Sequence, residues 1–499
     1  MIDGLIQSLS IYASNPALVV VLICAVLVGI VFGIVPGLNG KTAIVFFLPA
    51  LIGIDQITGL VFLIAMHAVI HTAGAVPSIL FGVPGTAAEA ATVIDGFQLT
   101  KQGQAARALG ASFSASGIGG VIGGIFLLCM LPVIKPIILL ITPSEHFLLM
   151  ILGISSITAV SGNSLRRGIA VGCMGLCLSF VGLSPHTGEP RYTLGFLTLW
   201  DGLDMITLVL AVFAVPELIS MAVDQRQTLP SPVNYKTSAV YSGLAEVLNH
   251  KWLTIRTSII GAFIGLVPGL GGDVASWMCY GHAVQSSAQP EKFGKGAIEG
   301  VIAPETANNS KEGGALIPTL FFGIPGSTGM AVLLAAFIML GIQPGPNLLD
   351  QQSQLLNILI VTLVLANVLA VVILLGAARF LAKIAFIPTE LIVALGLVMI
   401  VTGSYLGNLN WVYLLLLYLF SIVGYVFKRF EWPRAPFVIG LVLGGRAEIS
   451  LNQAITIWGY DFFLKPLSLI LIVAIIASLG MFYWQRKLQR SSITERRET

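Results

Sequence analysis

The 499-residue chain is 56% hydrophobic and only 10% charged, with a mean hydropathy of +0.93. A soluble domain carries about a quarter charged residues because its surface faces water. The deficit here runs the whole length, which excludes a soluble protein carrying one anchor, and the net charge of +3 comes without the basic, aromatic-interleaved stripe that nucleic acid would require.

Lipid is therefore the expected solvent, and lipid admits only helices or closed barrels, because every backbone polar group must be paired internally. Segments such as 18–35 and 467–483 are apolar on all sides rather than alternating, so the expected class is an all-α polytopic membrane protein. At about 20 apolar residues per crossing, candidate spans fall at 17–35, 57–80, 112–133, 136–160, 167–184 and 203–223. A polar linker over 224–257 follows, and further candidates come at 258–284, 315–342, 355–378, 384–403, 409–427, 434–445 and 463–484. The expected total is about 10–13 transmembrane or re-entrant helices. The five cysteines lie in apolar runs and read as packing residues, and no cleavable signal pattern precedes the first span. Lys and Arg in the tail 486–499, in 428–434 and in the linker place those segments, and the C-terminus, in the cytoplasm; the N-terminus is expected outside.

The chain repeats itself. Gly29-x3-Gly33-x2-Pro36-Gly37-Leu38-Asn39-Gly40 returns as Gly261-x3-Gly265-x2-Pro268-Gly269-Leu270-Gly271-Gly272. Pro77-Ser78 through Phe81-Gly82-Val83-Pro84-Gly85-Thr86 returns as Pro318-Thr319 through Phe322-Gly323-Ile324-Pro325-Gly326-Ser327. Weaker matches pair Pro143-Ser144-Glu145 with Pro388-Thr389-Glu390, and Gly162-Asn163 with Gly407-Asn408, in the same order. Two related repeats, expected to be inverted, follow at about 20–223 and 258–445, with a terminal membrane segment at 446–485.

Pro removes a backbone donor and Gly tolerates almost any φ/ψ, so four Pro-Gly breaks unwind four segments. Broken helices at matching places of two halves are the sequence mark of a transporter's central site. The freed N–H groups favour an anion. Candidate substrate-binding residues are Gly37, Asn39, Gly40, Ser78, Gly85, Thr86, Gly269, Gly271, Gly272, Asn308, Asn309, Thr319, Gly326 and Ser327. Ionisable groups at membrane depth are costly and usually functional. Lys41 and Asp273 occupy corresponding places after the Pro-Gly breaks and are candidates for carboxylate binding or ion coupling, with Arg191 as a candidate fixed cation or loop anchor. Glu299, Glu305, Lys311 and Glu312 surround Asn308 and Asn309, whose neutral amides read as better substrate or ion ligands than the carboxylates. His67 and His71, four apart, suit a metal by spacing, but no third ligand is evident in sequence, so a packed or hydrogen-bonded helix contact is expected and no metal or cofactor.

At these motifs the chain resembles the large subunit of the tripartite tricarboxylate transporters, the TctA family. The resemblance is carried by the stretch from Pro77 to Thr86, by Thr92-Val93-Ile94-Asp95-Gly96 and by Gly103-x3-Arg107-Ala108-Leu109-Gly110. Gly188-Glu189-Pro190-Arg191, Pro216-Glu217, Pro304-Glu305-Thr306-Ala307-Asn308-Asn309 and Gln343-Pro344-Gly345-Pro346 continue it, over roughly residues 20 to 445. It implies a bacterial inner-membrane importer of di- or tricarboxylates driven by a Na⁺ or H⁺ gradient. It also implies a small membrane subunit (TctB-like) and a periplasmic solute-binding protein (TctC-like) as partners. There is no Gly-x4-Gly-Lys-Ser/Thr loop for ATP. The alternatives are a passive channel, a transporter independent of a binding protein, or an intramembrane protease. The last needs Gly-x-Gly-Asp, which fails at Leu270-Gly271-Gly272-Asp273, and its partner Tyr460-Asp461 comes in reversed order.

Overall fold

The computed structural model describes residues 2–35, 38–160, 165–223, 239–268, 271–345, 347–350, 352–384, 388–406 and 409–477. Most of them are helical. The first half contains α1 (Ile2–Ser14), α2 (Pro16–Ile34), α3 (Gly40–Phe47), α4 (Gln56–Phe81), α5 (Ala90–Lys101), α6 (Ala105–Leu139), α7 (Pro143–Val160) and α8 (Leu165–Leu178). A two-stranded hairpin follows, β1 (Gly182–Leu183) with β2 (Pro190–Arg191). Then come α9 (Met205–Val209), a π-helical turn at Leu210–Ala214 and α10 (Val215–Val223). The second half holds α11 (Val240–Asn249), α12 (Lys251–Leu266), α13 (Gly271–Ser286), α14 (Glu299–Phe322), α15 (Thr328–Met339) and α16 (Asn347–Asp350). It closes with α17 (Ser353–Ile384), α18 (Thr389–Leu406), α19 (Val412–Arg429), α20 (Ala435–Trp458) and α21 (Pro466–Ala477).

Among the described residues, six helices are long and apolar enough to cross a membrane: Pro16–Ile34, Gln56–Phe81, Ala105–Ile138, Met205–Val223, Ser353–Ala378 and Val412–Arg429. Ala435–Leu464 and Pro466–Ala477 form a further apolar pair bent by 70°, a broken span or a re-entrant loop, which makes seven crossings if it is one span. The chain is thus an all-α, multi-pass membrane protein.

Several expected spans are drawn differently. The separation of 112–133 from 136–160 does not occur at residues 134–135, because α6 runs through Pro132 and Pro136. The break comes at Thr142, whose backbone N–H donates to Glu145 Oε2 (3.0 Å), with Pro143 opening α7. The expected 258–284 span is two helices, α12 and α13, and 315–342 is interrupted between α14 and α15. Part of the expected linker is the helix α11, held to α6 by Arg107–Glu246 (2.7 Å). Four of the five cysteines lie exposed rather than packed; only Cys279 is buried.

Two helices form the centre. α14 is buried at every position from Gly300 to Phe321, and α4 at every position from Leu63 to Phe81. Each is packed by a glycine-faced neighbour. A methyl group at Gly29 of α2 would meet Met66 O of α4 at 2.7 Å; one at Gly261 of α12 would meet Ala307 O of α14 at the same 2.7 Å. Small residues are what let helix backbones approach this closely in a membrane. Both central helices end on the same cap. Gly82 (φ 69°) and Gly323 (φ 67°) adopt the left-handed conformation, and the following Val83 and Ile324 N–H groups return to Pro77 O (3.3 Å) and Pro318 O (2.9 Å).

Candidate functional site

Helices break at all four Pro-Gly motifs: α2 stops at Ile34 and α3 starts at Gly40, α12 stops at Leu266 and α13 starts at Gly271, and α4 and α14 end at Phe81 and Phe322. Restarting a helix exposes N–H groups, and side chains cap two of the restarts. Asn39 Oδ1 accepts from Thr42 N (3.1 Å) at α3, and Ser327 Oγ accepts from Met330 N (3.1 Å) at α15. α3 and α15 pack against each other although they follow breaks in different parts of the chain. His67 of α4 lies between their starts. A methyl group at Gly40 would come within 3.2 Å of its Nδ1, and one at Gly329 within 3.3 Å of its Cε1.

Behind His67 lies a buried ionic cluster drawn from three elements. His67 Nε2 hydrogen-bonds Glu312 Oε2 of α14 at 3.0 Å. His71, one turn along α4, brings Nε2 to 3.1 Å from Glu312 Oε1 but off hydrogen-bond geometry, and Nδ1 to 4.0 Å from Glu89 Oε1. Lys311 Nζ stands 2.7 Å from Glu312 Oε1. The third group that the histidines lacked in sequence is therefore Glu312, and their donor atoms and its carboxylate lie within 4.8 Å of one another. That spacing could bridge a metal ion, but the Lys311 ammonium already supplies a cation to this carboxylate, and a second one would be repelled.

Further along α14, Glu305 is 1% exposed and accepts from Thr92 Oγ1 of α5 (2.5 Å) and Ser116 Oγ of α6 (3.0 Å). Asn309 Nδ2 donates to Thr72 Oγ1 (2.7 Å) and Asn367 Oδ1 (2.9 Å), tying α14 to α4 and α17. Asn308, 1% exposed, has neither amide atom hydrogen-bonded, an unusual state for a buried amide. Thr86 Oγ1, in the loop after α4, is likewise buried without a hydrogen bond. Asp95 of α5 accepts from the N–H groups of Gly296 (2.8 Å) and Ala297 (2.9 Å) and from Tyr280 OH (2.9 Å), fixing the approach to α14.

Of the candidate residues, Asn39 and Gly40 begin α3 and Ser327 caps α15 on either side of His67, Gly85 lies beside Glu89, Gly326 lies beside Ala315 of α14, and Asn308 and Asn309 are on α14 itself. A methyl group at Gly85 would come within 3.1 Å of Glu89 Oε2, so that break borders the cluster. Ser78 and Thr319 are not free donors: their hydroxyls bond Gly74 O (3.1 Å) and Ala315 O (2.6 Å) within their own helices. Arg191 lies away from the cluster. Its guanidinium makes a two-pronged bond to Glu448 (2.7 and 3.0 Å) over the Phe180 ring, which makes it the anchor of the hairpin. Lys41 is the second residue of α3. Gly37 and Gly269 lie outside the described residues, as do the side chain of Asp273 and the matched Gly162-Asn163 and Gly407-Asn408. Gly271 and Gly272 open α13.

The carboxylates of α14, ranked below the asparagines from sequence, are with Lys311 its main ionic groups. The spacing 305, 308, 309, 312 carried the signal, since i, i+3, i+4 and i+7 share one helical face.

The model of the tripartite tricarboxylate transporter TctA family matches residues 19–439. An uncharacterized 52.8 kDa protein in the TAR-I ttuC' 3' region of Agrobacterium vitis is 30% identical over 456 residues, 89% of this chain and 88% of that protein. An uncharacterized protein in the TAR-II ttuC' 3' region of the same organism is 34% identical over 197 residues, 40% of this chain and 81% of that protein. No solved structure matches at a significant level. The chain belongs to the TctA family of tripartite tricarboxylate transporters.

Proposed function

We propose that this chain is the large membrane subunit of an ion-gradient-driven importer that carries di- and tricarboxylates through the site between α3, α15 and His67. The family assigns it to a tricarboxylate transporter; the route, the coupling and the partners are the proposal. The observation that carries it is the meeting of two capped helix starts, α3 and α15, at a buried imidazole. Helix N-termini attract carboxylates through unpaired N–H groups and the positive end of the helix dipole. Such starts exist here because the chain breaks each helix with Pro and Gly.

The matched glycine faces of α2 and α12, and the matched caps of α4 and α14, support two related repeats around this place. A buried charged helix such as α14 costs too much to be mere scaffold in a membrane, which supports an ion-coupled rather than a passive pathway. The coupling ion is Na⁺ or H⁺. A small membrane subunit and a periplasmic binding protein complete the assembly in a bacterial inner membrane, with the C-terminus in the cytoplasm.

The test is uptake of radiolabelled citrate and succinate by membrane vesicles holding this chain with both partners. Accumulation that requires an ion gradient and the binding protein is expected. Uptake indifferent to both would replace the proposal with a channel. Gly326→Val and Gly85→Val should abolish uptake while the protein still inserts, since a methyl group at Gly326 already comes within 2.9 Å of Ala315 Cβ.

A further inference from the structure

A separate polar cavity opens at the corner where α11 turns into α12. Its volume is about 250 Å³, with Leu253 and Ala283 at its floor and His250, Arg256, Lys292 and Glu299 around it. Glu299 opens α14, and Glu312 of the ionic cluster stands about 20 Å further along that helix. We infer that this cavity binds the phosphate headgroup of an anionic phospholipid, with Arg256 and Lys292 on the phosphate and the acyl chains along the outer face of α12. Such a site requires only a membrane around the chain, and it stands whether or not carboxylates pass α3 and α15.

The cavity holds cations in excess. Arg256 donates Nε–H to Trp252 O (3.3 Å), and among the described residues neither Arg256 nor Lys292 forms an ion pair. The carboxylates nearby are engaged elsewhere. Glu299 lies 3.3 Å from His250 Nε2, and Lys292 acts on it only from further away. His250 Nδ1 faces Glu246 O at 2.9 Å, so both ring nitrogens point at acceptors and the cationic ring is favoured. The Glu246 carboxylate is taken by Arg107 at 2.7 Å. At this end of the molecule Lys251, Arg256, Lys292 and Lys295 therefore outnumber Glu291 and Glu299. On the packed helix α5, Asp95 and Lys101 offset each other, and Glu305, deeper on α14, is turned to Thr92 and Ser116. A phosphate accepts from both a guanidinium and an ammonium and would balance the excess.

The border of the cavity says which anion. Trp252, Ile255, Ile259 and Phe263 of α12 are all exposed and share one helical face with Arg256. Large apolar side chains on the outer face of a membrane protein meet lipid, so Arg256 stands on the edge between acyl chains and cavity. α11 adds Tyr241, Leu244 and Leu248, likewise exposed, and two exposed aromatics, Tyr241 and Trp252, mark the membrane–water boundary. At that level an arginine lays its stem on apolar surface and its head among phosphates. Basic pockets beside membrane helices are where anionic headgroups bind. A free phosphate or carboxylate would use the cations and leave the apolar border bare. The volume, below the roughly 300–1,000 Å³ of sites for drug-sized molecules, suits a small headgroup whose chains stay outside.

The test is native mass spectrometry of the purified full chain in detergent, with dioleoyl phosphatidylglycerol as probe and dioleoyl phosphatidylcholine as reference. Phosphatidylglycerol should bind more tightly, and R256Q/K292Q should weaken it about tenfold. K295Q/R429Q removes as many charges outside the cavity and should change binding by less than about threefold. No preference over phosphatidylcholine, or an equal loss in the two double variants, would reduce the lipid to general surface attraction and overturn the proposal. Excess citrate or inorganic phosphate at constant ionic strength should leave the lipid bound; displacement by either would assign the cavity to a free anion instead. Displacement by the small membrane subunit would assign the face to that protein, and equally sink the lipid site. Should R256Q/K292Q not fold, the wild type answers alone. In phosphatidylcholine nanodiscs, a minor share of brominated phosphatidylglycerol should quench tryptophan fluorescence more than the same share of brominated phosphatidylcholine, and W252F should remove that excess. An excess that survives in W252F, or none in the wild type, overturns the proposal.

Discussion

Glu312→Ala is the most informative single substitution for the architecture of the cluster. The carboxylate accepts from His67 Nε2 and pairs with Lys311 Nζ at 2.7 Å, and both partners' side chains are nearly closed to solvent at 5% and 6%. Removing it leaves the Lys311 ammonium buried without its counter-charge, and breaking a buried pair from one side costs about 3–5 kcal/mol. Glu312→Gln keeps the volume and an acceptor for His67 but equally leaves the Lys311 ammonium without a counter-charge, so its cost should stay within that same range of about 3–5 kcal/mol. Replacing both members, Lys311→Met with Glu312→Met, removes the uncompensated charge and should cost less than Glu312→Ala alone, since apolar residues often replace a buried pair at little loss. The assay is reversible unfolding in mixed micelles, with wild type, Lys311→Met, Glu312→Met and the double variant compared as a mutant cycle beside Glu312→Ala. A Glu312→Ala cost below about 1 kcal/mol, or a double variant whose cost is the sum of the singles within about 0.5 kcal/mol, would refute the reasoning.

Arg191→Ala removes a half-exposed pair with Glu448 and should cost at most about 1 kcal/mol, leaving the half-saturating citrate concentration for exchange within threefold; a larger shift would put Arg191 back in the substrate path. Gly33→Ala should destabilise by about 1–3 kcal/mol, because the methyl group meets Ile70 O at 2.5 Å and Ala73 Cβ at 2.6 Å. Gly376→Ala, with nothing within 4 Å, should instead stabilise α17 by about 0.5–1 kcal/mol in the same unfolding assay. His250, at the corner between α11 and α12, is held above the ordinary imidazole range, chiefly by its hydrogen bond to Glu299. Its contribution to stability is therefore full at pH below the unfolded value of about 6.5 and is lost as pH rises through the higher folded value. Hydrogen exchange over 246–256, corrected for intrinsic rate, should rise from pH 6 to 8, and His250→Ala should abolish the rise.

Much of the fold follows from hydropathy where one helix crosses without interruption. The spans expected at 17–35, 57–80 and 355–378 correspond to α2, α4 and α17 because each is a long apolar run bounded by a cap or a break. Proline misleads in α6, where Pro132 and Pro136 do not stop the helix and the local chemistry of Thr142, Pro143 and Glu145 does. Hydropathy also passes over the first half of α14, whose Glu305, Lys311 and Glu312 look like a polar flank. Burial is tolerated because Lys311 and Glu312 pair with each other and side chains of α4, α5 and α6 hydrogen-bond the carboxylates, and those partners are distant in sequence: His67 and Glu312 are 245 positions apart. The Pro-Gly breaks were legible from residue type alone. Arg191 read equally as site cation or anchor, and only the fork to Glu448 decides between them.

The central claim is that a carboxylate binds where α3 and α15 begin, beside His67. Cysteine protection tests it most directly: Thr328, the first residue of α15, is changed to Cys in a chain whose five native cysteines are Ala, with Ser10→Cys in α1 as control. Labelling by a small maleimide in membrane vesicles should slow at least threefold with citrate for Thr328→Cys and stay unchanged for Ser10→Cys. Citrate that protects neither position, or both equally, would contradict the account.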